Sequence, residues 1–288
     1  MERPLEMVET KVAFTFAVLL ALSSCSSGGS FTWVRHPMDG HRTGVTAPTA
    51  DNVAEALGVI DDSVYIAPNG VRFASSSATY AVAADMIAVQ PEMAALKQVI
   101  GRSSAEMLRG GANCALSNWI VDHMREDVAR LTGKRVDVAI LNSGGIRVDL
   151  PEGDVLMDDL VSMLPFKNYL SYVALEGRDL LALFEQMAEG SMQPVSGVHV
   201  VLDGHRLDTL LVGGEPVDPD RVYGVGTIDF LLDGGDRLNV ARNARELIIT
   251  DCLLIDSMLP YAMSYAQQGR PIEYFTDDRV VIKGRADK

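Results

Sequence analysis

The sequence predicts an α+β fold, a single mixed α/β domain running from about residue 31 to the end of the chain. Three observations predict it. Residues 113–131 (NCALSNWIVDHMREDVARL) are amphipathic at helical spacing, with Leu116, Trp119, Ile120, His123 and Val128 near one face. Residues 136–141 (VDVAIL) form a short apolar strand that runs into Asn142-Ser143-Gly144-Gly145. From His199 the pattern turns β-rich, first VHVVLD, then DTLLVGG as a hairpin partner, then VYGVGTIDFLL.

The remaining elements follow in chain order. A short helix is expected over 51–58 and a strand over 63–67. Residues 80–100 read as helix-rich, with Pro91 as a break or a fresh first helical position. Helices over 157–164 and 179–188 flank a strand at 169–175. A helix over 253–268 and a strand over 279–283 close the chain. Residues 31–95 are read as an N-terminal extension or subdomain, and residues 96–288 as the main domain.

The extreme N-terminus lies outside this fold. Residues 12–22 (VAFTFAVLLAL) are an apolar run of signal-peptide length, too short to span a bilayer. They end in Leu22-Ser23-Ser24-Cys25, followed by Ser26-Ser27-Gly28-Gly29-Ser30. A Leu, two small residues and a Cys directly after such a run resemble a bacterial lipobox, with an ordinary signal peptide and an incidental Cys as the alternative. Residues 1–24 are then a signal peptide, Cys25 is the lipidation site, and residues 25–30 are a flexible tether. The expected location is the cell envelope, with the lipid as the only anchor.

Composition excludes several classes. At 48% hydrophobic and 22% charged, the chain is neither disordered nor fibrous. A formal net charge of −14 repels nucleic acid and anionic lipid, so an anionic ligand needs a local cationic pocket. Apart from Cys25 there are two cysteines: Cys114 reads as a buried thiol in a helix, and its spacing to Cys252 does not argue for a disulfide.

Self-contained hydrolase machinery is not legible. The histidines are His36, His41, His123, His199 and His205. Asp39-Gly40-His41 has the form that opens a metallophosphatase site, but the companion His motifs are missing, so a turn is the favoured reading. His123 reads as a core or rim residue. His199 and His205 bracket a turn at Asp203-Gly204, on opposing strands at most. Neither a Gly-x-Ser-x-Gly elbow nor a Walker loop is present. No metal site is assigned to this chain.

The run Asn142-Ser143-Gly144-Gly145-Ile146-Arg147 offers different chemistry. A strand ending in Asn and two glycines exposes backbone N–H groups, and Arg147 can grip anionic oxygens in pairs. The alternative is a common turn beside a surface arginine.

Its neighbours make the run specific. Leu164-Pro165-Phe166-Lys167-Asn168, Gln193-Pro194-Val195-Ser196-Gly197, Asp233-Gly234-Gly235-Asp236 and the helix start Leu116-Ser117-Asn118-Trp119-Ile120-Val121-Asp122 occur in the same order as in the C-terminal domain of the bacterial and animal 5'-nucleotidases, which this chain resembles over about residues 95–285. That resemblance implies a nucleotide pocket in which Asn142, Gly144, Gly145 and Arg147 hold the ligand, Phe166 stacks on the base, Asn168 and Gly197 line the base pocket, and Asp236 joins them. Where the family's second ring is expected, after the Gly-Gly-Asp, this chain has Arg237-Leu238, which implies an aliphatic Leu238 on that face. The family also carries an arginine ahead of the helix start. Those positions here are Gly110 to Ala112, with Arg109 one residue further out.

The resemblance implies no cofactor in this chain. It places divalent metals in a partner metallophosphatase chain, making this chain the binding subunit of a split 5'-nucleotidase. The alternatives are a non-catalytic nucleotide-binding lipoprotein and a structural lipoprotein on a decayed domain. The expected partners are a nucleotide or nucleoside, that catalytic chain, and a membrane through Cys25.

Overall fold

A computed structural model describes residues 52–283 of the protein. The signal peptide, Cys25, the tether, His36 and His41 lie outside the described residues. The chain enters as helix α1 (Val53–Leu57) and a small antiparallel sheet of β1 (Val59–Asp61), β2 (Val64–Ile66) and β3 (Arg72–Ala74). Helix α2 (Ala78–Ala88) follows, opened by Ser77, whose hydroxyl accepts from the Tyr80 N–H at 3.1 Å. The helix ends ahead of Pro91, where the sequence allows a break or a fresh start. A turn around Pro91 and a short 3-10 segment, Ala94–Lys97, lead into strand β4 (Val99–Ser103).

The core is built on one long helix and one sheet. Helix α3 (Ala115–Thr132) buries Leu116, Trp119, Ile120, Val121, Met124 and Val128, the spacing that one helical face requires. Cys114 is not the buried thiol expected. It is the N-cap of α3, its sulfur accepting from the Ser117 N–H at 3.4 Å, and both it and Cys252 are free thiols.

After α3 come β5 (Val138–Ile140), β6 (Gly153–Leu156), α4 (Met157–Met163), β7 (Tyr169–Glu176), α5 (Gly177–Glu189), β8 (Val195–Ser196), β9 (Val198–Asp203), β10 (Arg206–Val212), β11 (Glu215–Pro216) and β12 (Val222–Ile228). Strand β13 (Glu246–Leu253), helix α6 (Leu254–Gln267) and β14 (Val280–Lys283) complete the described chain. His205 sits in the β9–β10 turn rather than on the strand opposite His199.

The central sheet runs β13-β7-β12-β5-β8, with β12 parallel to β5 and antiparallel to β7. Every residue of β12 from Tyr223 to Ile228 is buried, so both faces are covered; α3 and α5 pack against its strands. A second sheet, β11-β10-β9-β14, packs beyond α5, and β4 pairs with β6 as a separate ribbon against α6.

A charge network around the buried Arg279 ties the end of the described chain to α3. Arg279 donates to both Asp122 oxygens at 2.9 and 2.8 Å, to both Asp277 oxygens at 2.7 and 2.8 Å, and to the Val195 carbonyl at 3.1 Å. Tyr274 adds a hydroxyl bond to Asp122 at 2.7 Å. Burial pushes the Asp122 carboxyl up, but the Arg279 and Tyr274 bonds more than offset it and hold the group below its ordinary value.

Candidate functional site

The sheet topology gathers the candidate residues at one end. Because β5 and β12 are parallel, their carboxyl ends lie together, and antiparallel β7 and β8 begin at that same end. Four segments therefore meet there: 142–147 after β5, 164–168 before β7, 229–238 after β12, and 193–194 before β8. Gln193 fixes the first of these by accepting from the Ser143 N–H at 2.9 Å, while the Leu141 N–H donates to the Pro194 carbonyl at 3.0 Å. The 109–113 loop abuts the same turn, with the Ser143 hydroxyl 3.5 Å from the Gly111 carbonyl.

Asn142 is buried, and its amide nitrogen donates to Asp236 Oδ2 at 2.7 Å. Its Oδ1 is buried and accepts no hydrogen bond. Gly145 packs directly over that oxygen: a Cβ there would stand 2.8 Å from Oδ1. Such an orphaned acceptor costs about 1–3 kcal/mol, which a ligand hydroxyl or N–H would recover. Gly144 is exposed beside it, close to Asp236 Oδ2.

Arg147 is exposed and folds back over the loop. Its Nη1 donates to the Gly144 carbonyl at 3.1 Å, and its guanidinium carbon lies 5.9 Å from the Phe166 ring centre. The Arg147 N–H donates to the Met163 carbonyl at 2.9 Å, which binds the loop to the end of α4. Phe166 is 47% exposed, far from the core residue its place after Pro165 allows. Asn168, half-buried, anchors its carbonyl to the Leu254 N–H at 2.9 Å.

A second exposed ring lies on a neighbouring segment, where the sequence placed none. Phe230 is 46% exposed in the turn Asp229–Leu231. Asp229 Oδ1 accepts from the Phe230 N–H at 2.9 Å and from the Tyr169 N–H at 3.0 Å, so one carboxylate links this turn to the chain that follows Phe166 and Asn168. Gly235 lets the 233–238 turn close on Phe230, since a Cβ there would stand 1.9 Å from the Phe230 carbonyl oxygen. Asp236 and Arg237 are both held at positive φ, 48° and 65°, strain that serves to hold Asp236 against Asn142.

Two expected residues are not brought to this face. Leu238 is 4% exposed inside the core, because the turn that exposes Asp236 points the residue after Arg237 inward. Gly197 lies at the far end of β8, where a Cβ would meet the Asp137 carbonyl at 2.1 Å; the antiparallel pairing of β8 with β5 carries it away from Asn142. Arg109 stays near the site through its loop, its N–H bonded to Asp149 Oδ1 at 2.6 Å.

The assembled face is open. A cleft of about 680 Å³ on the other side of the 109–113 loop, towards Val280–Ile282, includes none of Asn142, Arg147, Phe166 or Phe230. Among the described residues no group of three or more His, Cys, Asp or Glu side chains is placed to hold a metal ion.

Comparison with known proteins decides the family: the model of the 5'-nucleotidase C-terminal domain matches residues 96–243. The chain belongs to that family. The match spans α3, β5, the Asn142–Arg147 loop, Phe166, Phe230 and Asp236. An apyrase of Tabanus yao is 27% identical over 197 residues, covering 59% of this chain and 35% of that protein. Protein UshA of Escherichia coli is 31% identical over 116 residues, 38% of this chain and 20% of its own length. A 5'-nucleotidase precursor from Thermus thermophilus shares the fold with a TM-score of 0.63 at 24% identity, covering 77% of this chain and 46% of that one. This 5'-nucleotidase C-terminal-type chain thus spans about a third or less of the curated relatives named here.

Proposed function

We propose that this chain is the nucleotide- or nucleoside-binding subunit of a 5'-nucleotidase-type phosphohydrolase, with metals and the hydrolytic step supplied by a separate metallophosphatase chain. The observation that carries this reading is the exposure of Arg147, Phe166 and Phe230 on segments that meet at the end of the sheet where Asn142 bonds Asp236. The two phenyl rings offer flat apolar surface to a base, Asn142 and Asp236 offer acceptors to ribose hydroxyls, and Arg147 offers a cation to a phosphate. Among the described residues no cluster of His, Cys, Asp or Glu fits a metal. Cys25 carries the lipid that holds the subunit at the envelope membrane; among the described residues no helix is long and apolar enough to cross one.

Titration calorimetry of the purified chain with adenosine and its monophosphate, in a chelator, tests the binding half of this reading. Both ligands are expected to bind, and Asn142→Ala is expected to weaken both by about 0.5–1.5 kcal/mol, the net worth of a neutral hydrogen bond. Absence of binding of either ligand at millimolar concentration would sink it. Adding Mn²⁺, Zn²⁺ or Mg²⁺ is expected to release no phosphate, and metal-dependent turnover by the pure chain would overturn the division of labour.

A further inference from the structure

We propose that a groove between helix α5 and the segment 239–243 is a second ligand site, separate from the Asn142 face, for a neutral polyhydroxylated ring of monosaccharide size. The groove encloses about 330 Å³, at the small end of the range for ligand pockets. One wall is a single stripe of α5: Asp179, Ala182, Leu183 and Gln186 fall at the i, i+3, i+4, i+7 spacing of one helical face. The other wall is the segment from Asn239 to Asn243, in the turn that leads to β13. None of Asn142, Arg147, Phe166, Phe230 or Asp236 lines it.

The polar side chains of the groove are held by bonds that leave their acceptors open. Three of them are amides, and each uses its nitrogen on a neighbour. Asn243 donates to Asp179 Oδ1 at 2.7 Å, Gln186 to the Arg237 carbonyl at 2.5 Å, and Asn239 to Asp233 Oδ1 at 3.2 Å. The three amide oxygens and Asp179 Oδ2 accept no hydrogen bond from the described residues. The Arg242 guanidinium is exposed and makes neither a hydrogen bond nor an ion pair among the described residues. Hydroxyl groups suit this set, because each can donate to one of the open oxygens and accept from the guanidinium. Amides already pinned by a second bond lose little freedom when a ligand arrives.

Charge and apolar surface narrow the ligand class. Asp179 and Arg242 are the charged residues of the lining and cancel, so the groove offers an ion no net attraction. The field of a chain of net charge −14, which repels anions, has no hold on a neutral ligand. Leu175, Leu183 and Val240 complete the lining. All three are buried, and together they give the C–H face of a sugar ring an apolar floor.

Saturation-transfer NMR and calorimetry on the full chain carrying Cys25→Ala, which keeps lipid-driven association out of the measurement, test the proposal with D-glucose, N-acetyl-D-glucosamine and D-ribose as probes. At least one sugar is expected to bind saturably, with a dissociation constant in the millimolar range or tighter. The hexoses stand for a free sugar and ribose for the sugar of a nucleoside, so the tighter probe identifies the source. Ala182→Trp fills the groove from an exposed helix position, and Arg242→Ala removes its free donor. Each should raise the dissociation constant at least about tenfold. Gln186 and Asn239 stay intact in these variants because they also tether the turn that carries Asp236. Melting curves confirm that both variants fold, and both should keep the adenosine affinity of the parent, which separates this result from that of the Asn142 face. Absence of saturable binding of every probe up to about 100 mM overturns the proposal. So does sugar binding that Ala182→Trp leaves intact, or a variant that weakens adenosine as much as the sugar.

Discussion

Arg147 works against the charge of the rest of the molecule. In a chain of net charge −14, a phosphate approaching the Asn142 loop meets Asp229, Asp233 and Asp236 on the neighbouring turn, and Arg147 is the cation within the loop itself. Removing it should cost a nucleoside monophosphate about 1.5–3 kcal/mol, the range for a charged hydrogen bond. Adenosine should lose far less. Its loss is limited to the stacking that the guanidinium, 5.9 Å from the Phe166 ring centre, lends to that ring, about 0.5–1 kcal/mol at an exposed site. Phe166→Ala and Phe230→Ala should behave differently, each costing both ligands about 1–3 kcal/mol through lost stacking. Calorimetric titration of the three variants with both ligands separates the roles; equal losses for both ligands in all three would refute the assignment. The turn behind Phe230 gives an independent check. Gly235→Ala must push the Phe230 carbonyl away and displace Asp236 from Asn142, so it should destabilise the fold by about 1–3 kcal/mol in urea, as overpacking does. An unchanged midpoint would show that the turn yields freely.

At the scale of elements, helix α3 shows what a buried titratable group does to pH dependence. His123 stacks on Tyr261 with ring centres 3.9 Å apart and meets Trp119 and Tyr274 edge-on at 6.1 and 6.0 Å. Both ring nitrogens are buried without a hydrogen bond. Burial pulls its pKa below the ordinary histidine value, and nearby Glu126, Asp122 and Asp127 only partly oppose this. The folded chain therefore resists a proton that the unfolded chain accepts. The stability contributed by neutral His123 is complete above the unfolded value of about 6.5 and drains away as pH falls through it towards the lower folded value. Asp122 and Asp277, both held below their ordinary values, titrate beneath that window. Melting temperature should thus fall between about pH 7.5 and 5.5, and His123→Phe should flatten that fall; an unaltered slope in the variant would remove His123 as the cause. Such elements differed in how legible they were. Helix α3 is readable because it carries its own period over eighteen residues, and β5 because it falls in an unbroken apolar run, VAIL. Strands β4 and β6 were not, since four or five residues with Gly, Arg and Asp gain their identity from pairings such as Ser103 with Gly153, fifty positions apart. Phe230 was absorbed into the apolar run VYGVGTIDFLL for a related reason: alternation does not mark where β12 stops, and the turn at Asp229 is what swings the ring outward. Leu238 is turned inward by the next turn, 233–238, whose left-handed residues Asp236 and Arg237 no periodicity reveals.

For the whole molecule, the balance of charge bears on how it is held at a membrane. With 39 acidic and 25 basic residues, the protein is repelled by anionic headgroups, so electrostatic adsorption contributes nothing to its attachment. Among the described residues no helix is long and apolar enough to cross a bilayer. If the Leu22–Cys25 sequence is processed as a lipobox, attachment rests on acyl chains at Cys25, each buried CH₂ contributing about 0.8 kcal/mol, so that two or more chains hold the protein firmly where a single short one would not. Salt makes this separable from adsorption. A high-salt wash screens charge, which for an acidic protein relieves repulsion instead of releasing it, and leaves the acyl term untouched. The wild-type protein should therefore stay in the membrane fraction through that wash, whereas Cys25→Ala should move to the soluble envelope fraction. Because Cys25 lies outside the described residues that carry the core and the site, the variant is expected to keep the melting temperature and adenosine affinity of the parent. Membrane partitioning that is the same with and without Cys25 would disprove the lipid anchor, and would move the search for the attachment to the protein surface itself.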